Sequence, residues 1–204
     1  MTRLAAVLKN NPDSKSVAPP KRNRRTIVIF SMLVFVVYGI GSAFELIVTM
    51  DVCFHYVFAY FICLTVVVPI FKTGRFGAGV AVYLPYAILG PFAVYYAEWI
   101  LKQALLTPWT AALWGVFGLC TGFSADLAFR YIPERILGKW RGILVGVVFG
   151  FADFCFTLLS LTVVYIDPVP GTLHFLHGVG LLLPFLLTSA GFAGYTASCL
   201  VASR

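Results

Sequence analysis

Four carboxylates stand inside otherwise apolar stretches of this 204-residue chain: Glu45, Glu98, Asp126 and Asp153. An ionisable side chain in hydrocarbon costs roughly 2.5–3.5 kcal/mol on insertion scales, so each needs a partner, a cavity or a function. Glu45 lies close to Asp51 and His55. Glu98 stands one helical turn before Lys102, a spacing that suits an i,i+4 ion pair and equally an acid facing a ligand. Asp126 shares a helical face with Gly118 and Gly122 and precedes Arg130 by four positions, so the expectation is an internal salt bridge that orients the helix end. Asp153 continues the face of Gly146 and Gly150 toward Thr157 and Ser160, a polar stripe that belongs in the bundle interior or against a water-filled cavity.

Other chemistry-bearing residues gather near the first and last of these groups. His55, His174 and His177 fall on the same side of the chain's alternating pattern as Asp51 and Asp167, and imidazole with carboxylate suits nickel, cobalt or zinc. His174 and His177 are three apart, but no local spacing supplies a third ligand, so no metal site is assigned. Aromatic residues are dense at the same level: Phe54, Tyr56, Tyr95, Tyr96, Trp99, Trp109, Trp114 and Tyr165. Most suit an interfacial belt, and some suit stacking on a flat ligand. The residues expected to bind a substrate are Glu45, Tyr95, Glu98, Trp99 and Trp109 in the outer half, with Asp153 deeper. Together they offer carboxylates to a cationic or hydrogen-bonding group and rings to an aromatic one. No nucleophile elbow, phosphate-binding glycine loop or zinc-protease helix is found, so neither catalysis nor a cofactor is expected.

The elements that must position these residues are legible in composition. Sixty per cent of the residues are apolar or aromatic and 11% are charged, against roughly a quarter charged in a soluble domain. Apolar runs cover about 26–50, 52–71, 78–101, 110–131, 142–166 and 173–202, each near the ~20 residues a membrane helix requires. The expected fold is therefore an all-α, polytopic bundle of six transmembrane helices spanning 26–204, preceded by a flexible basic tail over 1–25 that Pro12, Pro19 and Pro20 interrupt. With the N-terminus inside, fourteen of the fifteen basic residues become cytoplasmic and only Lys102 is left outside; both termini are then cytoplasmic. The same distribution explains the net charge of +7 by membrane orientation and anionic lipid headgroups rather than by nucleic acid. Cys53, Cys63, Cys120, Cys155 and Cys199 lie in apolar runs without C-x-x-C spacing and read as small core residues. Small residues recur one helical turn apart at Gly115/Gly118/Gly122, Gly142/Gly146/Gly150 and Ala190/Gly194/Ser198. Such stripes let helix backbones approach closely, within one chain or against a partner membrane subunit.

The stretch Thr107–Arg141, TPWTAALWGVFGLCTGFSADLAFRYIPERILGKWR, resembles a segment of the substrate-binding (S) components of energy-coupling factor (ECF) vitamin transporters, most closely the YkoE type. There a Pro-Trp start leads into a helix with a "GxGAE" stretch and an aromatic-basic end. Here the corresponding residues are Gly122, Phe123, Ser124, Ala125 and Asp126, with Ser124 in place of a glycine and Asp126 in place of a glutamate. The small-residue final helix, LPFLLTSAGFAGYTASCLV, and the chain length are similar to that family as well. The resemblance implies a plasma-membrane receptor that captures a vitamin or thiamine precursor outside the cell and works with a transmembrane coupling subunit and two cytoplasmic ATPases. Two other readings fit the bundle: a non-catalytic membrane subunit of a respiratory or oxygenase complex, and a metal-ion uptake component.

Overall fold

A computed structural model describes residues 21–47, 52–102, 108–133, 136, 138–164 and 172–202. Among them are six helices and no strand: α1 (Lys21–Ile47), α2 (Val52–Thr73), α3 (Ala78–Lys102), α4 (Pro108–Tyr131), α5 (Gly138–Val164) and α6 (Thr172–Ala202). Three contain windows long and apolar enough to cross a membrane, Asn23–Ile40, Tyr56–Thr73 and Leu183–Ala202. The ends depart from the hydropathy limits where polar residues still favour helix. α1 starts at Lys21, directly after Pro19 and Pro20, so the last five residues of the expected tail are its first turn; Lys and Arg are good helix formers. α4 opens on Pro108, whose missing N–H costs nothing in a first turn.

α2 is the central element and touches all five others. Around it the other five form an open arc in which α1 meets α3, α3 meets α4, α4 meets α5 and α5 meets α6, with the α5–α6 contact the most extensive. The packing is inside-out relative to a soluble protein. Val66, Val67, Ala125, Ala190, Ala193 and Ala197 are buried, whereas larger side chains such as Met32, Ile40, Leu89 and Phe192 are more than half exposed. Such a surface is an aggregation liability in water, but lipid tails are as apolar as leucine and leave small residues to pack the helices together.

Small residues let the backbones meet. A methyl group on Gly142 or Gly146 would overlap the carbonyl oxygens of Gly194 and Ala190 respectively, and one on Gly150 would stand 2.7 Å from Ala190 Cβ. The stripes of α5 and α6 are therefore consumed by each other inside the monomer. The cysteines divide: Cys63 is buried and its thiol donates to the Ala190 carbonyl at 3.5 Å, whereas Cys155 is exposed. That corrects the expectation of a core position for Cys155.

Candidate functional site

The junction between the start of α3 and the end of α4 is built from a turn, two glycines and a carboxylate. Gly74 stops α2: it takes a left-handed conformation, φ 60°, and its N–H donates to the Ile70 carbonyl at 2.9 Å, a glycine C-cap. The short turn through Gly77, φ 89°, then starts α3 beside the end of α4. A methyl group on Gly79 would sit 2.6 Å from the Gly122 carbonyl oxygen, and one on Gly122 would sit 2.8 Å from that of Gly79. This approach brings Asp126, fully buried, to the first turn of α3. The Gly79 N–H donates to Oδ1 at 3.0 Å and the Val80 N–H to Oδ2 at 3.1 Å. First-turn amides have no partner within their own helix and carry partial positive charge, so a carboxylate from a neighbouring helix satisfies and stabilises them.

This corrects the expected Asp126–Arg130 salt bridge. Arg130 is exposed and lies over the Phe76 ring, 5.3 Å from its centroid. Fixed amides at hydrogen-bond distance outcompete a flexible cation that gains more from solvent. Arg141, at the start of α5, donates from Nη2 to the Phe129 carbonyl at 2.6 Å and so joins α5 to the end of α4.

Further along the same helices lies an aromatic layer centred on Tyr83. Its ring is fully buried in the space left by two glycines: methyl groups there would stand 3.2 Å from Cδ1 for Gly118 and 3.0 Å from Cδ2 for Gly122. The Tyr83 and Tyr38 hydroxyls pair at 3.3 Å. The Tyr38 ring stacks on Tyr86 with centroids 4.0 Å apart and meets Phe58 edge-on at 5.4 Å. Phe149 of α5 stacks on Tyr83 at 6.5 Å. Asp153 stands one turn beyond Phe149 on α5, the helix whose Phe149 ring stacks on Tyr83. Among the described residues none hydrogen-bonds to the Asp153 carboxylate. Side chains from α1, α2, α3 and α5 thus place phenol hydroxyls, aromatic faces and one carboxylate together, a set that suits a cation or a polar aromatic ring in surroundings where both interactions strengthen.

Of the six residues expected to bind a substrate, Asp153 is the one whose side chain is described, and it lies partly buried in this layer. Glu45 belongs to α1, Tyr95, Glu98 and Trp99 to α3, and Trp109 to α4; their side chains lie outside the described residues, as do those of His55, His174 and His177. Glu98 is fifteen positions beyond Tyr83, or about 22 Å of helix at ~1.5 Å per residue. The sequence reading missed Tyr38, Tyr83 and Tyr86. A signal was present: Tyr83 and Tyr86 lie within the apolar run rather than at its outer end, and a buried tyrosine hydroxyl needs a partner. Among the described residues no cluster of three metal-ligating side chains occurs. Neither family models, curated proteins nor solved structures give a match to this chain.

Proposed function

We propose that the chain is a six-span protein of the plasma membrane with both termini in the cytoplasm, and that it is the substrate-binding component of a nutrient uptake transporter of the ECF type. It carries no catalytic step; a coupling subunit and cytoplasmic ATPases would supply the energy, and the nutrient is a vitamin or thiamine precursor. Support for six spans comes from helix lengths of 22 to 31 residues, each at or above the ~20 that cross a bilayer. Support for the orientation comes from the basic residues at the start of α1, the end of α2, the end of α4 and the start of α5. Cysteine labels replacing Lys72 and Lys139 are expected to react only from the cytoplasm and one replacing Lys102 only from outside; external labelling at Lys72 would overturn the topology.

The observation that carries the binding role is Asp153, a carboxylate within an apolar helix bundle, one turn along α5 from the Phe149 ring that stacks on Tyr83 and without a hydrogen-bond partner among the described residues. Such a charge is expensive to keep and is retained where a ligand or pathway uses it. Calorimetric titration of detergent-purified protein with thiamine and with its hydroxymethylpyrimidine precursor tests this. Asp153→Asn is expected to weaken binding by about tenfold or more, equivalent to ~1.4 kcal/mol. Glu98→Gln and Trp99→Ala examine the outer half in the same assay. Wild-type affinity in all three variants would refute the site, and no binding of either compound to the intact protein would refute the substrate class.

A further inference from the structure

On the bundle's outer surface, an apolar groove of about 520 Å³ runs along the seam of α5 and α6, lined by Ile143, Val147, Leu187, Gly191, Phe192 and Tyr195. Thr188, also in its wall, turns its hydroxyl to the Pro184 and Phe185 carbonyls at 2.8 and 3.1 Å, so the hydroxyl is spent within the helix. Gly191 keeps the floor low, since a methyl group there would press on Val147 Cγ2 at 3.2 Å. From Leu187 to Tyr195 the groove follows eight residues of α6, about 12 Å at ~1.5 Å per residue, most of the ~15 Å that half a hydrocarbon core measures. At the Tyr195 end stands Lys139, exposed, with Nζ 5.9 Å from the Tyr195 ring centroid. Beside it Trp140 is 60% exposed, the kind of residue that settles at the headgroup level.

An apolar channel one leaflet deep that ends at an exposed cation and an interfacial indole matches one molecule in both its parts. We propose that this groove is a binding site for an anionic phospholipid, with an acyl chain laid along the surface seam of α5 and α6 and the phosphate at Lys139. The groove contributes to binding any chain of suitable length, and Lys139 selects for net negative charge. The site requires the bilayer but not the transport role.

Native mass spectrometry of the full chain in detergent, mixed with phosphatidylglycerol and phosphatidylcholine of identical acyl chains, separates the two contributions. Wild-type protein is expected to retain the anionic lipid about fivefold over the zwitterionic one, the preference a single lysine near a headgroup supplies. Lys139→Gln, at an exposed position, is expected to bring the ratio to about one with phosphatidylcholine retention unchanged. Thr188→Trp, which fills the groove from its rim, is expected to lower retention of both lipids. Equal retention by the wild type, a preserved preference in Lys139→Gln, or unchanged retention in Thr188→Trp would each overturn the proposal.

Discussion

Asp126 and Asp153 are the same residue type on adjacent apolar helices, and the fold treats them in opposite ways. Asp126 is fully buried and takes hydrogen bonds from two backbone amides at 3.0 and 3.1 Å. Its charge compensates the positive end of α3 at a place where Gly79 and Gly122 bring the backbones together. Asp153 is partly buried, stands one turn from the Phe149 ring that stacks on Tyr83 and accepts no hydrogen bond from a described residue. A carboxylate serves structure when fixed donors saturate it. It remains open to chemistry when its lone pairs are left to something else. The difference lies in the neighbours: first-turn amides cannot move away, whereas phenols can turn their hydroxyls to one another, as Tyr38 and Tyr83 do.

The contrast breaks most readily at Asp126. Asp126→Ala strands a buried amide at Gly79 and a partly buried one at Val80 and is expected to cost about 3 kcal/mol or more, at ~1.5–3 for each bond to a charged group. The readout is thermal or denaturant unfolding in detergent, and a change below about 1 kcal/mol would remove the capping role. Next in size is Gly122→Ala, where the added methyl presses on the Gly79 carbonyl; overpacking of this kind costs roughly 1–3 kcal/mol. Because both changes act on one junction, the Asp126→Ala/Gly122→Ala pair is expected to fall short of the sum of the singles, and strict additivity in a double-mutant cycle would separate the two devices.

Smaller still is Tyr38→Phe, which removes one interhelical hydroxyl contact at 3.3 Å and is expected to cost about 0.6 kcal/mol, the average for such bonds within membranes. Least of all in stability is Asp153→Asn, expected within about 0.5 kcal/mol of wild type because no bond from a described residue is lost and a poorly solvated charge is removed. Its effect belongs in the ligand titration. An unfolding penalty for Asp153→Asn comparable to that of Asp126→Ala would collapse the distinction and make both carboxylates structural.

Much of the architecture follows from the order of residues alone. Apolar runs of membrane length, broken by charge, Gly or Pro, placed all six helices to within a few residues, because desolvating backbone and side chains together leaves an apolar stretch little but helix to form. The four-residue spacing of Gly142, Gly146 and Gly150 and of Ala190, Gly194 and Ser198 marked surfaces that must lie against something. What that something is was not local information. Only the tertiary arrangement decided that these stripes face each other, that Gly118 and Gly122 make room for the Tyr83 ring, and that Asp126 caps the helix before its own rather than pairing with Arg130 four residues on. Spacing along one helix reports which side chains share a face; it is blind to amides and rings arriving from another helix. Those distant partners separate the saturated carboxylate from the available one.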